Sequence, residues 1–202
     1  HAEARDVPPR VSESVSMIGV WAVPLLVEVV SDESSSNRPT AAWVLGQALQ
    51  SNEDEVTESV RSRALEALDK AAKDPHADLR ANVASALAGL ASKDERGLEI
   101  LIELLETDSV PAVRVSSVRA LGAILQSLKS RSLRLKPSDD STSLTKVRAT
   151  IERAKTTDAN NWVRYESNLA LNSDRLPFID DEIDDVIPFS RRRILPRRSR
   201  SD

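Results

Sequence analysis

Cysteine is absent from the 202 residues, which excludes a disulfide framework, a thiolate metal site and a cysteine nucleophile together. A thiol-free chain reads by default as intracellular, with the cytoplasm expected and the nucleus the alternative for a eukaryotic source. Histidine is nearly absent: His1 stands first, in place of an initiator methionine and so read as a sign of trimming, and His76 is the other. Neither a histidine-based triad nor a multi-histidine metal site can be assembled from them. The five glycines, Gly19, Gly46, Gly89, Gly97 and Gly122, are scattered and form no phosphate-cradling loop. No apolar run reaches bilayer length; the longest, Met17 to Val30, is broken by Pro24 and Glu28. The expectation is a chain without enzymatic activity, cofactor, metal or membrane span.

What is present favours helix. Aromatics are 3% of the chain, whereas Ala, Leu, Ser, Glu and Arg are plentiful, and straight side chains keep their rotamers in helices. Hydrophobic residues at 40% suffice for a substantial core, so an all-α fold is expected. A net charge of −4 argues against a surface devoted as a whole to a polyanion.

Internal repeats organise the chain. Measured from Arg114, an aspartate lies six residues before, Asp108, and a leucine and a small residue lie seven and eight after, Leu121 and Gly122. The same ruler gives Asp32, Arg38, Leu45 and Gly46; then Asp74, Arg80, Leu87 and Ala88; then Asp158, Arg164 and Leu171, with Asn172 in the small position. An apolar segment of helical period precedes each aspartate, at Val15 to Val30, Val60 to Ala72, Leu98 to Leu105 and Leu144 to Ala154. Each unit is therefore a helix A, a short turn and a helix B. The aspartate is placed to accept orphan N–H groups at the start of helix B. The arginine, one turn inside helix B, can reach the aspartate of its own turn or that of the next unit.

These residues resemble the HEAT repeats, and the small, Ala-rich B helices of the second and third units are similar to the short bacterial type named after phycobilisome lyases. Val113–Arg114 and Val163–Arg164 match the family's Val-Arg pair directly, Leu79–Arg80 conservatively, and Asn37–Arg38 departs from it. Pro24 looks like the family's helix-A proline. The resemblance implies a right-handed α-solenoid over residues 15–173, with repeats at about 15–50, 58–91, 95–128 and 143–173 and the aspartates and arginines forming a ladder. Residues 1–14 are a leading segment and residues 129–142 an inserted loop. Asn168 and Asn172 mark the fourth unit as a polar cap. Residues 174–202 read as a tail, acidic over Asp180 to Asp185 and arginine-rich beyond, with Leu176, Phe178, Ile179, Ile183, Val186, Ile187 and Phe189 as apolar anchors.

The expected function is protein or peptide binding. In helix B, offsets −1, +3, +4 and +7 from the arginine are apolar or small and belong to the core, while +1, +2, +5 and +9 face elsewhere. The resemblance implies that B helices line the concave side. At those offsets stand Trp43, Gln47, Asn82, Ser85, Val115, Arg119, Tyr165 and Glu166, and aromatics and arginine are the anchors interfaces use. Trp21 and Trp162 read as packing residues, His76 as a solvent-facing turn residue. One alternative is nucleic-acid contact through Lys129, Arg131, Arg134 and Lys136 with Arg191, Arg192, Arg193, Arg197 and Arg198 of the tail. Another rests on Ala41 to Asn52, a stretch similar to the armadillo-type nucleotide exchange factors of Hsp70 chaperones.

Overall fold

A computed structural model of the chain describes residues 19–51, 56–91, 94–132 and 140–172. The leading segment and the tail lie outside them, and with it the tail arginines Arg191, Arg192, Arg193, Arg197 and Arg198. Among the described residues there are eight α-helices and no strand. They are α1 (Val23–Ser31), α2 (Arg38–Ser51), α3 (Glu58–Ala71), α4 (Ala77–Leu90), α5 (Glu95–Thr107), α6 (Pro111–Ser132), α7 (Asp140–Thr157) and α8 (Asn161–Leu171). Odd helices form one layer and even helices the other, so the chain is an α-solenoid of four helix pairs.

Local chemistry sets the helix starts. Thr57 caps α3, its hydroxyl accepting the Val60 N–H at 3.4 Å, and Asp94 caps α5 by accepting from Arg96 at 2.9 Å. Pro111 opens α6, where its missing N–H costs nothing. The first A helix is shorter than its apolar pattern. It begins at Val23 after a 3-10 turn, Val20–Ala22, because Pro24 cannot donate a helical bond and Gly19, at φ 64°, turns the chain just before it. At the other junction, α6 runs on through Ser132 and α7 starts at Asp140, so residues 129–132 and 140–142 are helical rather than loop. No glycine or proline interrupts either stretch.

The core is a continuous seam of leucine, valine and alanine. Leu45, Leu65, Leu68, Leu79, Leu87, Leu101, Leu121, Ile124 and Ile151 are fully buried. In α5, Leu98, Leu101, Leu104 and Leu105 face in at helical spacing while Glu99, Glu103 and Glu106 face out.

The two layers are not packed alike. Each even helix lies along the next over an extensive surface, whereas successive odd helices touch far less. Small residues permit the close approach. A Cβ built on Gly46 would fall 2.8 Å from the Ala86 Cβ, and one on Gly122 2.9 Å from the Ala170 Cβ. The even layer is thus the more closely packed of the two, and its face is called the inner side below.

Candidate interaction surface

The turn aspartates stand where the odd helices stop. Asp32 and Asp108 are the C-caps of α1 and α5, and each of the four carboxylates accepts the backbone N–H two residues on. The donors are Ser34 at 3.0 Å, His76 at 2.9 Å, and Val110 and Asn160 at 2.8 Å. This Asx turn corrects the expected placement on the first helical N–H groups. A side chain with one methylene spans only two residues, so in α4 and α8 it reaches the N-cap residue itself, His76 or Asn160. In α8 the first helical N–H groups, Trp162 and Val163, go instead to the Asn160 side chain.

The arginines link one turn to the next. Arg80 and Arg114 each send Nη1 back to the carbonyl of their own turn's aspartate, Asp74 and Asp108, at 2.8 Å. Their Nε–Nη2 edges grip the following aspartate through both oxygens: Arg80 on Asp108 at 2.6 and 2.9 Å, Arg114 on Asp158 at 2.7 and 2.8 Å. Such bidentate, charge-assisted pairs are the strong ones. Arg38 opens its helix instead of standing a turn inside it. Its Nε donates to the Val30 carbonyl at 2.9 Å and its Nη1 to Asp74 at 2.5 Å. At the ends of the row, the Asp32 carboxylate accepts, among the described residues, from Ser34 only, and Arg164 holds the Asp158 carbonyl at 2.6 Å and the Asn161 side chain.

Burial would push the Asp108 and Asp158 carboxyls up. Their arginines, together with the Val110 and Asn160 N–H groups, outweigh it and hold both below the ordinary aspartate value. Asp74 is lowered too: burial opposes it, and His76 and Arg38 prevail.

On the inner side, offsets −2, +2, +5 and +9 form one stripe per helix, because they step by four, three and four residues. Trp43 and Gln47 from α2 and Asn82 from α4 stand half-buried on it, and no side-chain hydrogen bond ties any of them to another described residue. Ser85 and Arg119 follow, both exposed. Arg119 donates to Glu166 at 2.5 Å, and its guanidinium lies 6.0 Å from the centre of the Trp162 ring. The indole N–H of Trp162 donates to the same Glu166 oxygen at 2.9 Å.

Four expectations change here. Glu166 is buried at 6% exposure, and with Arg119 and Trp162 already on it, it positions Arg119 rather than meeting a partner directly. Trp162 is a member of the stripe, missed because its offset of −2 was not followed to +2; it is 38% exposed. Offset +1 belongs to a different row. Val115 is buried there with Val118, in the row that packs on the next unit, so Tyr165 faces the end of the stack. Trp21, expected to pack, is 92% exposed, because it sits on the 3-10 turn ahead of the first stacked helix. His76 is exposed, with its ring nitrogen 2.9 Å from Asp74.

Outside the inner face many charges are paired. Lys70 meets Glu33 at 2.9 Å, Asp69 receives Lys73 at 3.0 Å and Arg96 at 3.3 Å, and Arg153 pairs with Glu106. A shallow cleft of about 280 Å³ between α3 and α5 is lined by Asp69, Lys73 and Glu103 and by Arg80 and Asp108. Among the described residues no cluster of three metal-ligating side chains occurs, and no helix is long and apolar enough to cross a membrane.

The family model for HEAT repeats matches twice, over residues 28–122 and 65–172. No curated protein matches the chain. Among solved structures, the complex of CpcE and CpcF of phycocyanin lyase from Nostoc sp. superposes with a TM-score of 0.59 at 19% identity, over 79% of this chain and 85% of that one. At that identity the likeness is one of fold.

Proposed function

The chain belongs to the HEAT-repeat family, and from that premise we propose that it is a non-catalytic interaction module whose even-helix face holds a protein or peptide. The observation that carries this reading is the stripe itself. Trp43, Gln47 and Asn82 are half-buried on the inner side, and among the described residues their indole and amide groups are uncommitted. Half-desolvated groups of this kind gain on meeting a partner, since much of their hydration is already lost.

Affinity would come from a few anchors. Trp43 supplies apolar area and an N–H donor. Arg119, held on edge by Glu166 and beside the Trp162 ring, presents its remaining N–H groups at a fixed angle and so loses less rotamer entropy on binding. The structural neighbour is itself a complex of two proteins, in keeping with a solenoid that works by holding another chain. Lyase chemistry is not carried over with the fold.

The test is affinity capture from the native source with the intact chain, followed by Trp43→Ala and by Arg119→Ala combined with Glu166→Gln, so that no buried charge is stranded. Partners held by the stripe are expected to be lost in both variants while helical content is kept. Undiminished capture by both variants would reject this face.

A further inference from the structure

The ladder does not end the way it proceeds. Arg80 and Arg114 each commit an Nε–Nη2 edge to the carboxylate of the following unit. Arg164, in the same place on α8, is pinned by the Asp158 carbonyl and the Asn161 side chain, and its Nε–H has no acceptor among the described residues. The row that packs against the next unit is buried and apolar in the inner repeats, as at Ala42, Ala84, Val115 and Val118. In the fourth unit Asn168 and Asn172 take its +4 and +8 places and bond to each other at 2.9 Å. Three residues before the turn aspartate, Ala71 and Leu105 are buried in units two and three, whereas the corresponding Lys155 is exposed and without an ion pair among the described residues. The outer end of the described solenoid is thus polar, with two cations, Lys155 and Arg164, that have no ion pair among the described residues flanking its last turn.

We propose that the Nε–H of Arg164, whose Nη1 and Nη2 are already held, is a carboxylate-binding site, filled by the acidic run Asp180–Asp185 of the same chain, which lies beyond the described residues. Charge and reach select this occupant. The run places five acids in six residues, opposite in sign to the end face. From Asn172 back to Arg164 is eight helical residues, about 12 Å, whereas the eight residues from Asn172 to Asp180 can span up to about 26–29 Å. The segment is thus long enough to return along α8, and one of its acids would complete a rung there. A charge-assisted pair there, with Lys155 alongside, closes the ladder.

The test uses the full chain, labelled with nitrogen-15 at arginine, and reads proton exchange at each side-chain Nε–H. Arg80 and Arg114 serve as occupied references and the exposed, unpaired Arg63 as the open one. Arg164 is expected to exchange at least ten-fold more slowly than Arg63. It should fall to the Arg63 rate when Asp180, Asp181, Asp184 and Asp185 become Asn and Glu182 becomes Gln. Exchange at the Arg63 rate in the unaltered chain overturns the proposal, as does protection that survives neutralisation of the run or that grows with protein concentration. None of these outcomes bears on the Trp43 stripe.

Discussion

An arginine that reaches forward ties two repeats with one side chain, so its removal is felt through the carboxylate it leaves behind. The Asp108 side chain is 4% exposed. With Arg80 gone, it keeps the Val110 N–H but loses both guanidinium bonds, and stranding a buried charge costs about 3–5 kcal/mol. Arg80→Ala is therefore expected to lower unfolding stability by that amount in urea titrations. Adding Asp108→Asn should recover part of it, because the neutral amide no longer needs a counter-charge; a double variant no more stable than the single one would place the loss elsewhere. The same pairs set a pH dependence. Folded-state values for Asp74, Asp108 and Asp158 lie below the ordinary aspartate value, so the native state binds fewer protons than the unfolded one. Their contribution is present in full above the unfolded value near ~4 and is lost as pH falls through the lower folded values. The melting-temperature gap between the native chain and an Asp74→Asn, Asp108→Asn, Asp158→Asn variant should thus be widest at neutral pH and shrink below pH ~4.

At the scale of the helices, close approach in the inner layer depends on which positions lack a Cβ. Gly46 and Gly122 face the backbone and Cβ of Ala86 and Ala170, which cannot move without shifting a whole helix. Alanine gains about 1 kcal/mol of helix propensity over glycine, yet overpacking costs about 1–3 kcal/mol, so Gly46→Ala and Gly122→Ala are expected to destabilise. A Cβ on Gly89 would meet Gln50 at 3.2 Å. The atom met is the Gln50 Cβ, but Gln50 is the next-to-last residue of α2, where the helix end can shift slightly without moving the rest, so Gly89→Ala is expected to cost less than the other two in the same denaturation assay. The repeat register was legible because Asp-to-Arg spacing and the leucine and small positions are local features of one helix and turn. Where α1 begins was not, since the apolar pattern from Val15 runs straight through Gly19 and Pro24 and period alone does not register a turn. The extension of α6 to Ser132 was hidden because the residues after Leu128 are polar and show no stripe. Trp43, Gln47 and Asn82 could be placed from offset alone. The fate of Glu166 could not, because its cation lies 47 residues away and only stacking brings the two together.

A stack in which each unit touches only its neighbours holds together as a chain of interfaces, and among the described residues the fourth unit has one interface where the inner ones have two. It is joined to the third by α8 and α7 against α6, by α7 against α5, and by the pairs Arg114–Asp158, Arg119–Glu166, Arg153–Glu106 and Lys146–Glu99. Residues 133–139 connect the two units along the chain but lie outside the described residues, so the described coupling rests on these contacts. Arg114→Ala removes the most buried of the ion pairs and strands Asp158, whose side chain is 8% exposed. Local opening of the last pair should then become far easier than opening of the whole. Amide hydrogen exchange would read this directly: protection in α7 and α8 is expected to fall by more than ten-fold, with α3 and α4 left near their original rates. A uniform loss across all eight helices would mean instead that the four units unfold as one body, with the ladder sharing its stabilisation over the full length rather than rung by rung.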